Sequence, residues 1–430
     1  MAVKTDTLTT GAKTNRLAKA WEPFTHAPML SWLVGAFVAV LLEQLVGRPL
    51  AVMLGLGKIP VLFGFVIMLK APLLIPSAII YVLLIYALPI GIVARLTTAV
   101  GNKVSAWLMR YPTYISVLIH LVLLYGTLQI WGSINDYRNL VLRLTFIAIL
   151  ITLSLNIING YMGEFSCSHP GFMALGAYGA SVISVSMFAN DNLFGPAIFP
   201  DSWGVFVFPL ALILGGVIAA IGSLIVAIPS FRTRGDYLAI ISLAFTFIIK
   251  SFIENLEVVG GPRGLSSQPD WANFTVVFIW VVLGVWIMNN FVRSTMGKAL
   301  NAVRDDEIAA DAMTVNTRRT KMVAFMFSAF WAGVGGGLFA HVLRYVNPAT
   351  FGLQKLAEVL AMVYFGGLNS VDGSIVGAVG FNLLSEALRP LEIYKWIIIP
   401  VLLILVMIFR PTGLVAFKEF DVHTIIAPKE

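Results

Sequence analysis

Apolar runs of about 20 residues recur along this chain, separated by short polar or basic stretches, and each is long enough to cross a bilayer as a helix. Runs at 29–46, 49–69 and 72–94 come first; 113–131, 140–158, 168–190, 203–228, 236–256 and 272–292 follow; 321–343, 354–368, 374–389 and 394–410 close the series. Backbone groups in lipid must bond within the segment, so the runs predict helices, and no short alternating strands of a barrel occur. The fold class is therefore all-α, a polytopic membrane protein with about ten core spans and two or three N-terminal ones.

Charge orders these spans. Arg95, Lys103 and Arg110 place 95–110 on the cytoplasmic side, as do Arg232 and Arg234, the polar stretch 297–320, and Arg410 with Lys418. From Tyr111 onward an alternating path returns every basic loop to one face. Before it the parity conflicts, because Glu43, Arg48, Lys58 and Lys70 interrupt the early runs and three candidate spans precede 95–110. Residues 1–27 lack the early apolar run of a signal peptide and read as a cytoplasmic tail. The expected organisation is a tail over 1–27, a membrane extension over 28–135, a core over 136–416 and a second tail over 417–430.

Composition narrows the function. Of 430 residues 58% are hydrophobic and 12% charged, and the net charge of +7 sits in short loops, a membrane pattern rather than a nucleic-acid one. Cys167 is the only cysteine, so no internal disulfide forms. Gly-Lys occurs at 57–58 and 297–298, but Val52 and Val292 stand where a Walker A loop needs its first glycine. His26, His120, His169, His341 and His423 form no H-E-x-x-H and have no helically spaced partner, so no metal is expected. No G-x-S-x-G elbow is present, and nothing else in the sequence suggests an enzyme.

Three polar places carry candidate chemistry. The first is the charge-dense island Gly297–Lys321. Asp305 or Asp306 can cap a short helix there, Glu307 suits its positive end, and Ile308, Ala309, Ala312 and Met313 share one face. Asn316 or Thr317 can cap the next helix. Such a helix can dock in a partner's groove or lie on its own protein. The second place is Asn156–His169, where Asn156, Asn159, Glu164, Ser166, Ser168 and His169 stand between apolar runs. Irregular polar backbone at that depth either lines a translocation path or caps helices at the surface. Intramembrane carboxylates favour the path, with Glu164 its most pointed member. The third is the turn-rich outer loop with Gly261, Pro262 and Arg263, a connector or a docking surface. Glu358 and Glu386 lie in late spans, facing a path or paired with a base such as Arg389. Gly215, Gly216 and Ala219, the run Gly333–Gly337, and Gly373 with Gly377 mark close helix packing.

Four blocks in order give a resemblance: G-E-F-S-C-S-H-P-G-F-M-A-L-G-A-Y (163–178); F-R-T-R-G-D-Y-L-A-I-I-S-L-A-F (231–245) with G-G-P-R-G-L-S (260–266); the island with A-F-M-F-S-A-F-W-A-G-V-G-G-G-L (324–338); and V-Y-F-G-G-L-N-S-V-D-G-S-I-V-G-A (363–378) with F-R-P-T-G-L (409–414). The chain resembles the LivM-type permease subunits of branched-chain amino-acid ABC importers over residues 156–414. The resemblance implies an importer permease fold in a bacterial inner membrane, a homologous second permease, two ATP-binding subunits and a periplasmic binding protein. It implies no cofactor in this chain, Mg-ATP belonging to the partners. Arg304, Asp305, Asp306, Glu307, Ile308, Ala309, Ala312 and Met313 would then couple to the ATPase, and Gly261, Pro262 and Arg263 would receive the binding protein. Two departures stand out. Thr314 follows the coupling helix where the family usually has Gly, and Glu164-Phe165-Ser166-Cys167-Ser168-His169 replaces a more usual Gln-Leu-Ser-Leu-Gly-His. The second departure leaves other cargo open, such as urea, short amides or aromatic acids. From a different class, a stand-alone ion-driven transporter would suit the carboxylates but leave the island unexplained.

Overall fold

Where water is absent each apolar run must close its own backbone hydrogen bonds, and the described runs do so as helices. The computed structural model describes residues 26–56, 72–190, 193–231, 237–389, 394–410, 412–417 and 420–429. Among them nine helices are long and apolar enough to cross a membrane. The chain divides into two compact units, one running to Ile134 and resuming at Asp421, the other Asn135–Phe420.

The first unit holds α1 (Met29–Met53), α2 (Ile75–Leu108) and α3 (Thr113–Ser133). Residues 95–110, expected as a loop, are mostly the last turns of α2. At 34 residues this helix is about 50 Å long, well beyond a hydrocarbon core of about 30 Å, so Arg95 and Lys103 can be helical and still reach water. Leu83–Ala87 widens into a π turn just before Pro89, which lacks an N–H and crowds the preceding carbonyls. Most of the expected span 49–69 lies outside the described residues, and its first residues continue α1. Two long described helices therefore precede Arg110.

Glu43, which made this region hard to read, is fully buried and accepts hydrogen bonds from the hydroxyls of Tyr81 and Tyr86 on α2. Trp131 on α3 donates to the Tyr86 hydroxyl at 2.9 Å, so one polar group pins three helices. The expected C-terminal tail is also partly ordered into this unit. Asp421 caps a short helix Val422–Ile426, and Asn102 exchanges two hydrogen bonds with the backbone of Lys429, at 2.9 and 3.1 Å.

The second unit begins with α4 (Asp136–Met162), α5 (His169–Phe188), α6 (Gly204–Ser230), α7 (Tyr237–Glu254) and α8 (Phe274–Arg293). Two short helices, α9 (Thr295–Asp305) and α10 (Glu307–Ala312), lead into the long α11 (Thr317–Leu343). The unit ends with α12 (Leu353–Gly366), α13 (Val371–Ala387) and α14 (Lys395–Phe409). Helices α12 and α13 occupy the expected crossings 354–368 and 374–389. With 14 and 17 residues each is shorter than the roughly 20 that span a bilayer, and a 3-10 turn at Pro348–Phe351 extends the approach to α12. A two-residue antiparallel ladder, β1 (Leu265–Ser266) with β2 (Tyr345–Val346), joins two loops.

The centre of this unit is the packing of α5, α6 and α11 through glycine. A Cβ on Gly336 would lie 2.1 Å from the Met173 carbonyl oxygen, and one on Gly215 would lie 2.7 Å from that of Gly176. Gly377 is pressed on the Met362 carbonyl in the same way, at 2.1 Å. Lipid tails supply no hydrophobic drive between helices, so this backbone contact is what dispersion and weak polar attraction require. Gly176, whose Cβ would stand 2.1 Å from the Gly333 oxygen, completes a set of which the sequence pattern had marked only the α6, α11 and α13 members.

Candidate coupling and translocation site

The island folds as two short helices at one end of the second unit. Asp306, not Asp305, is the cap: its extended backbone lets Oδ1 accept from the amides of Ile308 and Ala309, at 2.9 and 3.0 Å. Asn316 caps α11 by accepting from Arg319 N at 2.9 Å. On α10 only Ala310 is buried, while Ile308 is 82% and Met313 77% exposed, with Ala309 and Ala312 exposed beside them. The apolar face of α10 thus turns away from its own protein.

The residue after α10 shows why glycine suits this place. Thr314 N bonds Asp311 O and Val315 N bonds Ala310 O, the paired closure of a Schellman motif, which needs a left-handed residue between. Thr314 supplies it at φ 68°, a conformation in which a β-branched side chain is strained. Thr314→Gly is expected to relieve that strain for a net gain of about 0.5–1 kcal/mol after glycine's larger entropy loss. Amide exchange across 307–315 should slow accordingly; unchanged or faster exchange would show that threonine fits without strain.

The break between α4 and α5 is the second part. Ile157–Met162 forms a π turn, Gly163 turns it off at φ 76°, and α5 restarts at His169 with Pro170 in its first turn. Asn156, Asn159, Ser166, Ser168 and His169 are all buried. Asn159, Ser166 and Ser168 meet as a polar seam that runs on to His169. Asn159 Oδ1 accepts from Ser166 N at 3.2 Å, Ser166 Oγ lies 2.8 Å from Ser168 Oγ, and the Asn159 amide lies beside the Tyr364 hydroxyl. His169 Nε2 contacts Ser154 Oγ at 3.2 Å and Ser328 Oγ at 3.3 Å, while its buried Nδ1 has no hydrogen-bond partner among the described residues. The Cys167 thiol is buried in the linker before α5.

Asn156 does not behave as a path-lining residue. Its Nδ2 donates to Gly367 O at 3.2 Å, Ser370 O at 2.9 Å and Ser374 Oγ at 2.7 Å, and its Oδ1 accepts from Asn369 N at 3.1 Å. The amide is fully occupied in clamping the α12–α13 loop. Glu164 also stands apart from the seam. Its carboxylate takes Lys321 Nζ at 2.7 Å, and the same ammonium reaches Glu307 Oε2 at 2.9 Å. The side chain is part-exposed at the island end of the bundle, so the geometry makes Glu164 half of an ion pair and not a carboxylate facing the seam. A second contact runs alongside: Arg304 Nη1 donates to Gly160 O at 3.3 Å, while its guanidinium pairs with Asp305 at 2.9 Å and lies over the Phe417 ring.

The outer-loop residues lie at the other end. Lys321 is in the first turns of α11 and β2 follows its last, so about 33 Å of helix separates them. Gly261 is buried at φ 52°, which removes it from any docking surface, whereas Pro262 and Arg263 are exposed on the turn Gly261–Arg263. Tyr345 Oη fixes this turn through Arg263 O at 2.8 Å. Glu358 pairs with Lys355 at 2.6 Å and Glu386 with Arg389 at 3.5 Å, the latter joined by the Tyr137 hydroxyl, so both late carboxylates have structural partners.

The family of branched-chain amino acid transport system permease components matches residues 137–408. The high-affinity branched-chain amino acid transport system permease protein LivM of Escherichia coli (strain K12) is 31% identical over 306 residues, covering 63% of this chain and 68% of that protein. LivH of Salmonella typhimurium, a permease of the same named system, is 24% identical over 286 residues, covering 63% of this chain and 92% of its own. The ribose import permease protein RbsC of Haemophilus influenzae is 24% identical over 328 residues, covering 71% and 94%. No solved structure matches the chain. These relatives are transport permeases rather than enzymes, and the matched region is the second unit with its broken helix and exposed island. Apolar helices and relatives together make this a multi-pass membrane protein that belongs to the branched-chain amino acid permease family.

Proposed function

We propose that this chain is one of two permease subunits of an ATP-driven importer for branched-chain amino acids in a bacterial inner membrane. A homologous second permease would complete the path, two ATP-binding subunits would carry Mg-ATP, and a periplasmic protein would deliver the solute near Pro262 and Arg263. The observation that carries the reading is α10, a capped helix at one end of the bundle whose apolar residues Ile308 and Met313 have no cover of their own. An apolar helical face left in water suits a groove on a partner. The seam of Asn159, Ser166, Ser168 and His169 is then the closed section of the path, where a helix broken at membrane depth leaves polar groups to face a passing solute.

Vesicles holding the chain with its second permease and ATPase subunits are expected to accumulate leucine, isoleucine and valine only with binding protein outside and ATP inside. Uptake by this chain alone on an ion gradient would overturn the reading in favour of a stand-alone transporter. ATP-dependent uptake of urea or an aromatic acid in place of leucine would retain the mechanism and replace the cargo.

A further inference from the structure

Lys321 is 8% exposed in the first turns of α11. A charge so placed is a poor source of stability, since its desolvation offsets most of its attraction to partners that reach water. Its geometry is specific instead. One ammonium holds two carboxylates from different segments: Glu164, at 2.7 Å, on the linker between the α4 break and α5, and Glu307, at 2.9 Å, in the first turn of α10. The linker is stiff at both ends of this contact. Before it, Glu164 N bonds Ile158 O in the π turn at 3.2 Å; after it, Cys167 is held at N and O by Ser242 and Thr246 of α7, at 2.9 and 2.8 Å. Gly163 packs closely on Arg304 at the end of α9, where a Cβ would stand 2.3 Å from its Cγ.

We propose that Lys321 is a positioning residue that ties α10 to the α4–α5 linker, so that a displacement of α10 reaches the start of α5 and the seam around His169. The proposal rests on the reading of α10 as the ATPase-docking helix. Without the ammonium, Glu164 and Glu307 face each other as like charges, and α10 can move while the linker stays. Both carboxylates are part-exposed, at 27% and 52%, so the loss strands no buried charge and the protein should still assemble.

The test uses the complete complex, with leucine uptake, ATP hydrolysis and co-purification of the ATPase measured together. Lys321→Met is expected to keep the ATPase bound and hydrolysing while uptake per ATP falls about ten-fold, the size of an ordinary coupling free energy. Glu164→Gln should lower uptake per ATP in the same sense, and the double variant should be no worse than Lys321→Met, because both remove one link. Unchanged uptake per ATP in an assembled Lys321→Met complex overturns the proposal, as does a parallel fall in uptake and hydrolysis. Should Lys321→Met fail to assemble, Glu164→Gln decides alone: unchanged uptake per ATP overturns, a selective fall supports. Retention of the ATPase by Ile308→Asp would instead refute the docking reading itself, whatever the Lys321 variants do.

Discussion

Ile308→Asp is expected to detach the ATPase subunits and abolish ATP-driven uptake, while leaving the permease folded in the membrane. Ile308 is 82% exposed, so its loss removes nothing from the protein's own core. An aspartate there stands one residue into α10, where negative charge is favoured by the helix dipole. In a docked complex the balance reverses. Burial of an isoleucine side chain contributes about 1.5–3 kcal/mol, and forcing an unpaired carboxylate into the same groove costs more than that again. The combined penalty weakens docking by at least a hundred-fold, at about 1.4 kcal/mol for each factor of ten. Co-purification with a tagged permease reads the outcome directly. An ATPase that stays bound at the wild-type ratio sinks the assignment of α10.

What could be read in advance divides by the range of the interactions. Helix caps and helix faces are local, and the alternatives for them were few: Asp306 and Asn316 cap, and Ile308, Ala309, Ala312 and Met313 share a face because their spacing leaves no other geometry. Tight packing at Gly333, Gly336 and Gly377 was similarly legible, since small residues in apolar runs have one common use. Partners far along the chain were not. Glu164 looked like a lone intramembrane carboxylate because its counter-ion stands 157 positions later, in the first turns of a long apolar helix. Glu43 looked like an interruption because the tyrosines that receive it lie on the next described helix. The basic residues of 95–110 lie on a helix rather than the loop their charge suggests, because charge density marks where a segment meets water but not where its helix ends. Asn156 belongs with these. A polar residue at membrane depth signals a path or a clamp equally well until the groups it touches are known.

For Asn156 the contacts predict a clamp, and Asn156→Leu is expected to lose the folded protein rather than to retune uptake. Leucine branches at the same carbon as asparagine but is larger and offers neither donor nor acceptor. The change would strand Asn369 N and the Gly367 carbonyl, with Ser370 O keeping the Ser374 hydroxyl as its remaining partner. The site cannot relax by admitting space, because Gly160 already packs its backbone against the Asn156 amide, where a Cβ would stand 2.0 Å from Oδ1. Each stranded group costs about 1–3 kcal/mol, and at membrane depth little water can reach it to lower that cost. A loss of about 3–5 kcal/mol overall follows, a large part of the margin by which ordinary domains stay folded. The measurement is thermal unfolding of the purified permease, with proteolysis of the 366–374 segment as a local probe. A clamp loses both stability and protection of that segment. A variant with wild-type unfolding and protection but altered solute preference would return Asn156 to the translocation path, because a residue that only faces the solute has no reason to hold the α12–α13 loop.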